Sequence, residues 1–189
     1  MVLISIAAFM ACTIMSRTKS GWLLYQLGVC YTPAIMGGEY YRLITSMFLH
    51  FGFEHLLYNM LSLLFIGDMV ETALGPVRYL LIYLAGGIAG NLCSTLIELR
   101  TAGEYSYSAG ASGACFAMMG AVAYLAYRNR DAVGEAYGKR IRIVIGMMII
   151  QSFLDTGTDA WAHVGGLAAG VILAIVLSLG QESDEKFRM

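Results

Sequence analysis

The chain has 189 residues, of which 58% are hydrophobic and only 13% are charged, and its formal net charge is −1. Soluble domains carry about 25% charged residues, so this chain has too little charge to cover a surface that faces water. The composition excludes a disordered protein, a nucleic-acid-binding protein and a disulfide-stapled secreted module, and it predicts a polytopic membrane protein.

Six apolar stretches come close to the roughly 20 residues that a helix needs to cross a bilayer. They cover about 2–16, 55–74, 78–98, 108–127, 140–155 and 161–180. The segment 22–36 is apolar but short, and we interpret it as part of a long amphipathic loop in the interface, with a seventh span as the alternative. The sequence therefore predicts one all-α transmembrane domain over residues 1–180 with six spans and a long interfacial loop after the first. A short polar C-terminal tail follows over 181–189.

The orientation of the spans follows from the basic residues in short loops, which favour the cytoplasmic side. The loop after the fourth span carries five of them: Arg128, Arg130, Lys139, Arg140 and Arg142. We therefore expect this loop and both termini to be cytoplasmic. Arg17, Lys19 and Arg42, in the outward loop after the first span, do not fit this rule. In this topology the second, fourth and sixth spans all begin at the outer face.

Polar side chains inside membrane spans are costly and are therefore candidates for function. His55 and Asn59 share one helix face near the start of the second span. Ser112 lies near the start of the fourth span and His163 near the start of the sixth. Since these three spans begin at the same face, all four residues are expected in one shallow layer that water can reach.

This set of residues suits acyl transfer. A serine hydroxyl needs a base to accept its proton, and His163 is suited to that role because imidazole titrates near neutral pH. The negative oxygen of the tetrahedral intermediate needs fixed donors, which Asn59, His55 and the Ser112 amide could supply. A serine in a membrane helix more often only packs or bonds back to its own helix.

Small residues surround the candidate site on both helices. Gly110 and Gly113 flank Ser112 and leave room for a substrate backbone. Gly166 and Gly170 form a GxxxG pair on roughly the same face as His163, and such pairs let two helices pack closely. The partner helix could be the fourth span, which would bring His163 against Ser112.

Three motifs resemble those of the rhomboid family of intramembrane serine proteases. Residues 110–113 (GASG) resemble the GxSG nucleophile motif, 162–170 (AHVGGLAAG) resemble AHxxGxxxG, and 55–59 (HLLYN) resemble HxxxN. Residues 67–71 (GDMVE), followed by Gly75, resemble the end of the family's second span. The resemblance covers about 38–175, with the order and spacing of the motifs kept.

The resemblance implies a six-helix rhomboid-like bundle and a Ser112–His163 dyad with an oxyanion hole formed by Asn59 and His55. It also implies that single-span membrane proteins are cleaved where their helices unwind easily. Two positions depart from the family pattern. Tyr41-Arg42 replaces the usual Trp-Arg pair, and Phe116 replaces the Tyr that stacks on the catalytic histidine in many members.

Other readings of the sequence remain open. The main alternative is a catalytically silent rhomboid-like protein that binds membrane proteins as an adaptor. A small transporter or channel is less favoured, because the polar groups cluster at one edge of the membrane rather than at its midplane. We expect no cofactor and no metal, because the three histidines fit no metal-ligand spacing. The expected partners are transmembrane substrates and the lipid bilayer, the expected location is a bacterial inner membrane, and the sequence leaves the oligomeric state open.

Overall fold

The computed structural model describes residues 1–15, 21–101 and 105–179. Within these ranges the chain forms helices and no strand. The α-helices are α1 (Val2–Met15), α2 (Gly21–Leu27), α3 (Thr32–Met36), α4 (Arg42–Thr45), α5 (Phe53–Ser62), α6 (Asp68–Leu74), α7 (Pro76–Thr101), α8 (Ser112–Arg128), α9 (Arg130–Val133), α10 (Glu135–Leu154) and α11 (Ala160–Leu177). The predicted tail over 181–189 lies outside the described residues.

Three of these helical segments are long and apolar enough to cross a membrane: Phe53–Leu74, Pro76–Thr101 and Ala160–Leu177. The first is continuous because a π-helical turn, Leu63–Gly67, joins α5 to α6. Large apolar side chains also lie exposed on the outside of the bundle, as at Phe65, which is 69% exposed. The protein is an integral membrane protein. The count of six spans stays a prediction, because α1 has 14 residues, α8 has 17 and α10 begins in a charged segment.

The helix α8 lies at the centre of the bundle. Every residue from Gly113 to Val122 is buried, and α7, α8 and α11 all pack against one another. Buried polar groups are few along this stretch, since the sequence is almost entirely alanine, glycine, methionine and other apolar residues. The central helix therefore positions its N-terminal residue, Ser112, relative to the two helices that enclose it.

The contact between α8 and α11 is made by backbone atoms at glycine positions. A side chain added at Gly166 would overlap the carbonyl oxygen of Gly113, and one added at Gly170 would overlap that of Ala117. From the other side, a side chain at Gly120 would overlap the carbonyl oxygen of Leu167. The helix that the GxxxG pair faces is therefore α8, and the small residues allow the two backbones to touch.

We expect Gly170→Ala to destabilise the protein by about 3 kcal/mol, because a rigid backbone carbonyl cannot move aside as a side chain would. The measurement is the unfolding transition in detergent, followed by circular dichroism during denaturant titration. Gly146→Ala on α10 is the matched control. No atom lies within 4 Å of its added methyl group, so this variant should be at least as stable as the wild type. Equal stability of the two variants would contradict the close contact.

The segment from Gly21 to Phe48 is held together by a buried arginine. Arg42 forms an ion pair with Glu39 at 2.7 Å and donates to the carbonyl oxygens of Tyr25 at 2.9 Å and Val29 at 3.0 Å. Its guanidinium also lies 4.4 Å from the centroid of the Tyr25 ring. These contacts tie α2 to α4, so the arginine of the Tyr41-Arg42 pair organises this loop.

The stretch 22–36 is divided rather than continuous. Gly28 adopts a φ of +96°, which favours glycine, and it separates α2, with seven residues, from α3, with five. Neither helix approaches the length of a membrane span.

On α7, Asn91 donates to the Leu43 carbonyl oxygen at 2.8 Å and to Ser46 Oγ at 3.0 Å, and so fixes the loop to the bundle.

Candidate active site

One cavity of about 920 Å³ is lined by all four polar residues that the sequence singles out, His55, Asn59, Ser112 and His163. They come from three different helices, α5, α8 and α11. The shared position near the N-terminal ends of these helices agrees with the single layer expected from the topology. The structure therefore brings these four side chains to one cavity.

The loop before α8 places Ser112 at the first position of that helix. Gly110 has a φ of +131°, a conformation that glycine adopts without steric cost. Its N–H donates to the Ser46 carbonyl oxygen at 2.9 Å. A side chain at Gly110 would also come within 2.7 Å of the His55 ring. The glycine thus lets the loop turn tightly beside the candidate nucleophile.

A second histidine supports the same loop. The Ala111 N–H points to Nε2 of the buried His50 at 3.4 Å, a long and therefore weak hydrogen bond. This contact needs an unprotonated Nε2. Burial lowers the pKa of His50 to about 4, with the nearby His55 as a smaller cause, so the ring is uncharged at neutral pH and one of its nitrogens can accept. His50 is not one of the four polar residues that the sequence predicts for the site.

The His163 ring is held by stacking on α8. Its centroid lies 4.1 Å from that of Phe116, with the two planes inclined by 17°. Phe116 follows Ser112 by four residues, which is about one helical turn, so it lies on the same face of α8 as the serine. The ring that replaces the usual tyrosine therefore stacks on the histidine without a hydroxyl group.

Ser112 and His163 both line the cavity, but their side chains are not hydrogen-bonded to each other in this conformation. Among the hydrogen bonds of residues 1–15, 21–101 and 105–179, none joins Ser112 Oγ to the His163 ring. Catalytic hydrogen bonds are often long in ligand-free enzymes and shorten only when substrate binds. The arrangement is compatible with a nucleophile and its base before substrate arrives.

Asn59 and His55 lie on the α5 side of the cavity. The Asn59 side-chain amide donates to the His55 carbonyl oxygen at 2.8 Å, and its oxygen lies 3.6 Å from Cys115 Sγ. The first contact occupies one of the two amide hydrogens. The His55 ring is wedged between His50, at 5.2 Å between centroids, and Phe51, at 6.4 Å. Both side chains are therefore oriented by their neighbours.

Ser152, near the C-terminal end of α10, is a residue of the site that the sequence did not predict. Its Oγ lies 2.7 Å from His163 Nδ1. The sequence offered only a serine in an apolar stretch, which more often bonds to its own helix. The nearest carboxylate in sequence, Asp159, accepts instead from the Ala162 N–H at 2.9 Å and so caps α11.

No group of three or more histidine, cysteine, aspartate or glutamate side chains is placed to hold a metal ion within the described part of the chain. The described cysteines are all free, and Cys30 and Cys115 are buried. In the loop outside the membrane-spanning helices, burial raises the pKa of the Cys30 thiol to about 12, so this group is an inert thiol at neutral pH. Beside its hydroxyl, imidazole and amide groups, the cavity wall carries carboxylates, including those of Asp155 and Asp159, and the Cys115 thiol.

The bundle and its polar cavity define an integral membrane protein with a serine and a histidine on adjoining helices. The model of the rhomboid domain family matches residues 37–180, and the chain belongs to the rhomboid family. The resemblance found in the motifs is thereby confirmed.

Three relatives show how far this similarity extends. The putative rhomboid protease YdcA of Bacillus subtilis is 32% identical over 146 residues, 77% of this chain and 71% of the relative. The rhomboid protease GluP of the same organism is 38% identical over 156 residues, 82% of this chain and 30% of the relative. RHOMBOID-like protein 4 of Arabidopsis thaliana is 34% identical over 155 residues, 79% of this chain and 37% of the relative. The chain thus spans less than half the length of the latter two.

Proposed function

We propose that this protein is an intramembrane serine protease in which Ser112 is the nucleophile and His163 is the general base. Membership of the rhomboid family supports intramembrane protease activity in general. The observation that carries the specific assignment is the convergence of Ser112, His163, Asn59 and His55 on one cavity. A hydroxyl, an imidazole and fixed amide donors are the groups that acyl transfer needs.

In the proposed reaction, Ser112 Oγ attacks the carbonyl carbon of the scissile peptide bond, and His163 accepts the hydroxyl proton. The electron pair of the carbonyl bond moves to its oxygen. The same proton then passes from His163 to the leaving amine as the C–N bond breaks, leaving an acyl-enzyme. Water attacks this ester by the reverse sequence of proton transfers and releases the second product.

The oxyanion that forms in each step needs donors in place before the reaction. We assign this role to the free amide hydrogen of Asn59, to the His55 side chain and to the Ser112 backbone N–H. The N-terminus of α8 adds a favourable potential, since the positive end of a helix dipole stabilises a nearby anion. Gly110 and Gly113 leave space for the substrate backbone, while Gly166 and Gly170 set the spacing of α8 and α11.

The substrates we propose are single-span membrane proteins cleaved near the outer face, where small residues let a helix unwind. Residues 1–180 would form one six-span domain in a bacterial inner membrane, with both termini in the cytoplasm. The exposed apolar side chains of the bundle suit contact with lipid, and the shallow position of the cavity at helix N-termini suits access of water. No cofactor takes part in this mechanism.

The proposal predicts that a fluorescent fluorophosphonate labels the detergent-solubilised protein, and that the modified residue is Ser112 by mass spectrometry of the labelled peptide. The His163→Ala variant should lose labelling, because an unassisted hydroxyl is a weak nucleophile. Unfolding measured by circular dichroism provides the control for intact structure. A folded wild type that is neither labelled nor able to cleave a single-span reporter in liposomes would overturn the proposal and favour the silent adaptor.

A further inference from the structure

The helix α10 makes one polar contact with the candidate site. Of its 20 residues only Gly138 and Ser152 are buried. Ser152 is 6% exposed and His163 is 5% exposed, and the two are joined by the 2.7 Å contact between Ser152 Oγ and His163 Nδ1. The contact is shielded from water, where a hydrogen bond has a stronger influence on the groups that form it.

The proton positions follow from the second partner of Ser152. Its Oγ also lies 2.8 Å from the Met148 carbonyl oxygen, and a carbonyl oxygen can only accept. A serine hydroxyl has a single hydrogen and two lone pairs. With that hydrogen donated to Met148, Oγ must accept from the imidazole, so Nδ1 is the ring nitrogen that holds the hydrogen. In a neutral imidazole Nε2 is then the unprotonated nitrogen.

Stacking alone does not determine which nitrogen faces the serine. The Phe116 ring fixes the plane of the His163 ring, but a half-turn about the Cβ–Cγ bond keeps that plane while it exchanges the positions of Nδ1 and Cδ2 and those of Nε2 and Cε1. A hydrogen-bond acceptor on one edge removes this ambiguity. Among the described residues, the His163 ring forms its hydrogen bond with Ser152. This contact therefore determines which edge of the ring faces α10.

We propose that Ser152 is a positioning residue that holds His163 in the Nδ1–H tautomer, so that Nε2 is the atom that accepts the Ser112 proton. This inference rests on the proposed function. As the proton moves from Ser112 Oγ to Nε2, the imidazolium keeps its Nδ1–H bonded to Ser152, and Nε2 later returns the proton to the leaving amine. Ser152 stays neutral throughout and exchanges no proton.

In this role Ser152 orients the His163 ring but does not neutralise the positive charge of the imidazolium. In serine proteases with a carboxylate as third member, that group both orients the histidine and stabilises the imidazolium. A neutral hydroxyl supplies the orientation and a weaker, uncharged acceptor. Losing an outer partner of a functional histidine costs about 10–100-fold in activity where this has been measured at metal sites, and we expect a loss in that range here.

The direct test is nitrogen NMR of the protein labelled with ¹⁵N in its imidazole rings, at neutral pH. The chain has three histidines, and a His163→Gln sample identifies the signals of His163. We expect a protonated, pyrrole-type Nδ1 and an unprotonated, pyridine-type Nε2 in the wild type. In Ser152→Ala we expect both tautomers. A wild-type spectrum with the hydrogen on Nε2 would overturn the proposal, whether or not the protein is a protease.

The kinetic test compares Ser152→Ala with Ser152→Thr in the rate of fluorophosphonate labelling. Alanine should slow labelling about 10–100-fold, and threonine, which keeps the hydroxyl, should restore most of the rate. Equal rates for wild type and Ser152→Ala would overturn the positioning role while leaving the protease assignment intact. Absence of labelling in a folded wild type would instead contradict the proposed function, and the NMR result would then decide the tautomer alone.

Discussion

Replacing Ser112 by alanine is expected to lower kcat for cleavage of a transmembrane substrate by about 10⁶-fold, the scale observed when a serine protease loses its nucleophile. The reason is that the proposed acyl-enzyme cannot form without the hydroxyl. The measurement is cleavage of a single-span reporter, with glycine and alanine near its outer end, in liposomes that contain the purified protein. Loss of activity should leave unfolding unchanged, because the side chain loses only one oxygen atom.

The matched control is Ser108→Ala. Ser108 is a second serine that lines the same cavity, in the loop before α8, and its hydrogen bonds with Cys30 are made by backbone atoms. This variant should cleave the reporter at close to the wild-type rate. Cleavage that survives Ser112→Ala but is lost in Ser108→Ala would transfer the nucleophile role to the loop serine and would contradict the proposed mechanism.

Replacing Asn59 by alanine is expected to reduce kcat by about 10²–10³-fold, the usual cost of removing one oxyanion-hole donor. The residual activity should come from the remaining donors, His55 and the Ser112 amide. Because these donors act on charge that develops only in the transition state, KM should change little. Rates of reporter cleavage over a range of substrate densities in the bilayer separate the two parameters.

Asn59 also contacts the His55 carbonyl oxygen and Cys115, so a loss of structure must be distinguished from a loss of a donor. The variant Asn59→Asp keeps the shape and the oxygen near Cys115, but in its ionised form it has no hydrogen to donate. We expect it to be at least as impaired as alanine, since its charge would repel the oxyanion. Activity near the wild-type level in Asn59→Asp would rule out the oxyanion role.

Much of the site could be predicted from sequence because polar residues are rare in this chain. Against an apolar background, His55, Asn59, Ser112 and His163 each stand out, and helix direction alone predicts that they share a layer. The glycines of α11 were equally informative, since their spacing indicates a close helix contact. The structure shows which helix they touch, because that depends on packing between segments distant in sequence.

A site residue is hard to predict from the sequence when it acts through a contact with another helix, or when it looks like an ordinary residue of an apolar segment. Ser152 looks like any serine in an apolar helix, and its contact with His163 depends on how α10 lies against α11. The first residue of α8 also differs from the first residue of the apolar stretch. We expected a span from about 108, but residues 105–111 form a loop, because the conformation of Gly110 and the contacts with Ser46 and His50 stop the helix at Ser112.

At the beginning of α10 the helix extends beyond the apolar stretch instead. The apolar run suggested a span from about 140, but the helix starts at Glu135. Charged residues such as Glu135 and Lys139 are good helix formers in water, so helical structure continues past the end of the apolar segment. Hydropathy predicts where a helix can contact lipid, whereas the helix itself ends where capping and backbone conformation require it.

The glycine contacts between α8 and α11 also bear on how this protein would respond to temperature and to the thickness of its bilayer. Where two helices meet through side chains, rotamer changes can widen or narrow the gap between them. Here the carbonyl oxygens of Gly113 and Ala117 face glycine positions directly, so no rotatable group separates the backbones. The spacing of the two backbones that carry Ser112 and His163 is therefore set by direct contact, so a change in temperature or bilayer thickness should act on the site through the side chains rather than by moving these helices apart.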